Sequence, residues 1–157
     1  MTATNKSKYF YRGVTMNFGF YINDLSDEKQ VGVIANAINN SLDDSRIEDI
    51  AVFFDNASPL RYSFPCATFN SCDLWAFSGN LIVFSQENLA SSINIVNDIN
   101  IYFYHGLEPI SALALMTLPC SKFICDSEDS VKEFKRICNR DPDYVNDHNK
   151  GIIQVLL

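Results

Sequence analysis

The apolar positions of this chain fall into short continuous runs, separated by stretches in which they recur at helical spacing. Residues 14–22 (VTMNFGFYI) are aromatic and β-branched and predict a strand, broken by Asn23, Asp24 and Ser26. Asp27, with Gln30 three residues on, fits a capping box, and Val31, Ile34, Ala35, Ile38 and Leu42 follow on one helical face. Residues 49–54 (DIAVFF) form an apolar run that stops at Asp55-Asn56, the pattern of a strand buried on both faces. The same pattern returns at 80–84 (NLIVF, stopping at Ser85-Gln86), at 99–104 (INIYFY, stopping at His105-Gly106) and at 122–125 (KFIC, stopping at Asp126-Ser127).

Between these runs lie helical segments. Leu89, Ile93 and Val96 mark one, residues 113–118 a short second, and Ser127 caps a third whose inner face is Val131, Phe134 and Cys138. Acidic Glu128 and Asp129 open that helix and basic Lys135 and Arg136 close it, as the macrodipole favours. Residues 65–69 (PCATF) read as a further strand, 73–77 (DLWAF) as one helical turn with Gly79 as its C-cap, and 143–145 and 152–156 as terminal strands.

Short apolar strands alternating with amphipathic helices predict an α/β fold, a three-layer sandwich with a mostly parallel, Rossmann-like central sheet of at least five strands. Phe53, Ile82, Val83, Tyr102 and Ile124 are its expected core. Residues 1–12 read as a flexible arm and 13–157 as a single domain. Composition agrees: 47% of the 157 residues are hydrophobic, enough for a core of that size. Charge narrows the partners. Twelve basic residues against 19 acidic ones leave a net charge of -7, which repels a nucleic-acid backbone and an anionic membrane surface. No apolar run approaches the ~20 residues of a membrane span, and no signal peptide is visible. The five cysteines form no CxxC and read as reduced thiols, so a cytoplasmic location is expected.

In an open parallel sheet, ligands bind outside the carboxyl ends of the strands. The candidate site is therefore the polar rim that ends the runs: Asn23, Asp24, Asp55, Asn56, Ser85, His105, Gly106, Asp126 and Ser127. Each also has a plain structural role open to it, as a cap or turn. His105 is the sharpest candidate, because imidazole exchanges protons near neutral pH and Gly106 beside it leaves room for a ligand to approach the backbone. His148, in NDHNK, reads as solvated. No GxGxxG, GxxxxGK[ST], HExxH or GxSxG motif is present. Asp141-Pro142-Asp143 is formally a DxD, but it sits in a Pro turn after a helix, and no metal and no cofactor is assigned.

The element order, carried by VTMNFGFYI, IEDIAVFF, FSGNLIVFSQENLASSI, INIYFYHGLEP and SKFICDSEDSVKEFKRI, resembles the N-terminal Rossmann-like half of GT-B glycosyltransferases, including small phage-type members. The resemblance spans about residues 14–145. It implies metal-independent transfer of a sugar from a nucleotide-sugar donor to a hydroxyl acceptor. His105 would deprotonate the acceptor, Asp55, Asn56 or Glu108 would orient it, and Asp24, Asn56, Ser85, Gly106 and Ser127 would bind substrate. The chain departs from that family in leaving no room for the second domain that mainly holds the donor. A partner protein or a homodimer would have to complete the cleft. The other reading is a non-enzymatic α/β interaction module, for which Tyr9, Phe10 and Tyr11 offer an aromatic surface. A cleft at the carboxyl edge of the sheet favours the transferase half, and a main cleft at the opposite end favours the interaction module.

Overall fold

The computed structural model describes residues 15–57, 63–95, 98–107, 122–146 and 150–157. In chain order they form β1 (Met16–Asp24), α1 (Glu28–Asn39), β2 (Ile47–Asn56), β3 (Ala67–Asn70), a 3-10 helix (Ser71–Ala76), β4 (Gly79–Val83), α2 (Gln86–Ile93), β5 (Ile99–His105), β6 (Lys122–Cys125), α3 (Glu128–Cys138), β7 (Tyr144–Val145) and α4 (Ile152–Leu156). Tyr9, Phe10, Tyr11, Val96, Glu108, residues 113–118, Cys120 and His148 fall outside the described residues.

The seven strands make one sheet in the order β3-β2-β1-β4-β5-β6-β7, and every pairing is parallel. This is the doubly wound, Rossmann-like order, in which the chain leaves β1 in one direction and returns at β4 to run in the other. The apolar runs are continuous rather than alternating because both faces are covered. On β1, Phe18, Phe20 and Ile22 point to one face, and there they pack with Ile34, Ala37 and Ile38 of α1 and Ile152 and Ile153 of α4. Tyr21 points the other way, into a second core with Leu74 of the 3-10 helix, Leu89 of α2 and Phe134 of α3. Two cores on two faces of one sheet make three layers. The five residues expected to be central are all buried. Among the described residues no helix is long and apolar enough to cross a membrane.

The helix starts follow local chemistry. The Asp27 carboxylate accepts from Gln30 N, Ser85 Oγ from Asn88 N, and Ser127 Oγ from Ser130 N, each at a helix N-terminus. At the end of α3, Asn139 takes a left-handed conformation at φ 54° and closes the helix.

Four sequence expectations change. Residues 152–156 form a helix and not a strand. A five-residue apolar run has no periodicity to separate the two, and here it packs on α1 with Gly151 close against Ala37. Leu42 and Ile93 lie on the surface at 55% and 39% exposure: Leu42 falls beyond the end of α1, and Ile93 is the terminal residue of α2. Gly79 is not a helix C-cap. Phe77 closes the 3-10 helix, while Gly79 opens β4 at φ +132°, where a Cβ would lie 2.7 Å from the Asn17 carbonyl oxygen.

Candidate functional site

The parallel sheet delivers the rim residues to one edge. Asp24 at the end of β1 is in register with Asn56 at the end of β2, and His105 of β5 with Cys125 of β6, while Ser85 and Ser127 each stand two positions beyond the last residue of β4 and β6. The reversal of strand order falls between β1 and β4, and there Asn23 Nδ2 donates to Ser85 Oγ at 3.4 Å. Asn88, 1% exposed in the first turn of α2, donates from Nδ2 to the Tyr21 carbonyl at 3.3 Å.

Most of this polar chemistry is engaged inside the protein. Ser85 and Ser127 are caps, and the Asp24 carboxylate accepts from Ser26 N at 2.9 Å. That last bond holds the Asp24 carboxyl below its usual range. Tyr21 Oη donates to both oxygens of Asp55, at 2.9 and 3.1 Å, and burial, reinforced by this carboxylate, pushes the phenol up to about 12. The space beside Gly106, at φ +129°, holds the Asp126 carboxylate, so this glycine serves a close packing contact within the chain. Asn56 is exposed. Glu108 falls outside the described residues.

His105 is 2% exposed, and neither ring nitrogen has a hydrogen-bond partner among the described residues. Its Nε2 lies 3.5 Å from a carboxylate oxygen of Glu133 on α3, an approach that does not make a hydrogen bond. The DxD aspartates are likewise engaged. Asp141 pairs with Lys135 at 2.7 Å, and Asp143 accepts from Phe123 N at 2.8 Å. Among the described residues no group of three or more His, Cys, Asp and Glu side chains is arranged to hold a metal ion. Cys66, Cys72, Cys125 and Cys138 are free thiols.

The largest of the described cavities, about 500 Å³, lies elsewhere. It is a groove on the face that carries the 3-10 helix, over β1, β2 and β3, and it reaches the amino-terminal ends of the strands at Asn17, Asp49 and Ser78. Its floor is aromatic. The Phe53 ring stacks on Phe69 at 5.7 Å and meets Phe77 edge-on at 5.4 Å. Gly19 makes that floor possible, since a Cβ there would sit 3.0 Å from the Phe77 ring and 3.2 Å from Phe53. Asp49 and Asp73 are exposed, and Asn17 Oδ1 is buried without a hydrogen-bond partner among the described residues. No local pattern along the chain marks this groove as a site. Its one available signal was a glycine inside an otherwise apolar strand, which marks a place where something approaches the backbone closely.

These features define a Rossmann-like α/β domain with a polar carboxyl edge and a separate aromatic groove. No protein-family model, no curated protein and no solved structure matches the chain.

Proposed function

We propose that this protein is a binding module whose working surface is the aromatic groove, in preference to one half of a GT-B-like glycosyltransferase. The observation that carries this reading is where the space lies. The groove has the size of an ordinary ligand pocket, ~300–1,000 Å³, runs from Asn17 and Asp49 at the amino-terminal ends of β1 and β2 to Phe53 and Phe69, and is lined by none of the rim residues. At the carboxyl rim Ser85, Ser127 and Asp55 are spent on caps and internal hydrogen bonds, and His105 is buried.

A thermal-shift comparison tests it, because a ligand that binds the folded state raises apparent stability. Benzyl alcohol at millimolar concentration is expected to raise the midpoint of the wild-type chain. Ala76→Trp, which plugs the groove from the exposed 3-10 helix, is expected to remove that response. UDP-glucose is expected to leave the midpoint unchanged. A shift by UDP-glucose that survives Ala76→Trp and is lost in His105→Ala would overturn the groove reading.

One observation favours the transferase half as the second reading. The strand order reverses between β1 and β4, the place where doubly wound sheets hold nucleotides and sugars, and Asn23, Asp24 and Ser85 stand there. On that reading the nucleotide sugar and the hydroxyl acceptor meet at the carboxyl edge, and a second domain or a second copy of the chain completes the cleft.

A further inference from the structure

The groove's chemistry is one-sided. Among its described lining residues two are carboxylates, Asp49 and Asp73, and none is basic. Asp49 Oδ1 accepts from Ile50 N at 2.9 Å, which leaves the rest of the carboxylate to accept further bonds. Asn17 Oδ1 adds an acceptor that is buried and unmatched among the described residues. Closed off from solvent itself, that oxygen acts on an occupant of the groove through its partial negative charge and not by direct contact. Phe69, 41% exposed, and the half-buried Phe77 offer apolar area and ring faces, whose quadrupoles attract a cation, with Phe53 packed beneath them. The overall charge of -7 has the same sign as the groove mouth.

Aromatic faces, surplus acceptors and negative charge select one kind of occupant. Resting on the reading of the groove as the working surface, we propose that it binds a small organic cation, an ammonium or guanidinium group on an apolar body. The cationic head meets Asp49 and Asp73, and the body lies against Phe69 and Phe77. An anion of the same shape is repelled, and a neutral one gains only the apolar contact.

The test is an amide NMR titration of the full chain with three probes of nearly equal shape: 2-phenylethylammonium, 2-phenylethanol and 3-phenylpropanoate. The expected result is perturbation at Gly19 and Phe77, with the ammonium binding tightest and the carboxylate weakest. The ammonium's advantage over the alcohol is expected to be about threefold or more, the scale of a cation–π contact plus an exposed ion pair, and to shrink with added salt. Asp49→Asn combined with Asp73→Asn alters only exposed side chains and should erase that advantage while the alcohol binds as before. If the alcohol matches the ammonium in the wild-type chain, or the carboxylate binds best, the cation inference falls and the groove reading stands. If no probe moves the groove amides, both fall together.

Discussion

At the carboxyl edge of the sheet, Ser85 and Ser127 cap helices, Asp24 holds Ser26 N, and Asp55 receives the Tyr21 hydroxyl. In the groove, Asn17 Oδ1 meets no donor among the described residues, and three phenylalanine rings line open space. The same strands build both regions. What separates them is open space, for Ser85, Ser127, Asp24 and Asp55 are engaged from within and the unmatched ring nitrogens of His105 are closed off from solvent, whereas the groove is open. Polarity at a strand end is what helix starts demand, and by itself it says little about a ligand. Space together with an unmatched group says more.

The largest effect tests what the two regions share. Ile82 is fully buried in β4, next to β1, and supports both. Ile82→Ala is expected to cost ~2–5 kcal/mol, through lost burial and the cavity left behind. Urea unfolding measures it. An unchanged midpoint would mean that β4 is not the central strand from which the two regions diverge.

A smaller effect separates them. If the carboxyl edge is capping chemistry, Ser85→Ala and Ser127→Ala should each lower stability by about 1 kcal/mol, and neither should alter ligand binding in the groove. The contrary result, full stability together with lost binding of a nucleotide sugar, would restore the edge as a site and break the contrast drawn above.

The sequence was most legible where burial on both faces left a continuous apolar run, as in DIAVFF, NLIVF, INIYFY and KFIC. Those runs became β2, β4, β5 and β6, and their polar ends do gather at one edge because the strands are parallel. Helix starts at Asp27, Ser85 and Ser127 were legible too, since a cap is a local event. Legibility failed where the deciding contact is remote in sequence. Residues 152–156 are helical because of α1, more than a hundred positions earlier, and Gly79 is a glycine because of Asn17. The groove has the same cause. Phe53, Phe69 and Phe77 are unremarkable one by one, and become a floor only when β2, β3 and the 3-10 helix come together over Gly19. His105 shows the converse. Its place at the end of β5 follows from the pattern, whereas its burial against α3 depends on packing that no local pattern encodes.

The smallest effect leaves stability untouched and reads access alone. Cys72 is exposed on the 3-10 helix, beside the groove side of the molecule, whereas Cys125 is buried at the carboxyl end of β6, in register with His105. Burial pushes the Cys125 thiol up to about 11, and it does the same for Cys66 with the help of Asp49. Only the thiolate reacts, so at pH 8 a thiol with that pKa presents roughly one part in a thousand of its reactive form, before any steric shielding. Both shifts are upward, so reactivity is suppressed below the folded value and returns as the pH climbs toward 11 or as the chain unfolds. Iodoacetamide at pH 8, read by peptide mass mapping, should therefore alkylate Cys72 first with no change in unfolding midpoint, and reach Cys66 and Cys125 only in denaturant. Rapid labelling of Cys125 in the folded chain would show that the carboxyl edge opens to solvent around His105. That opening is what a transferase site would require, and it would shift the balance between the two regions back to the edge.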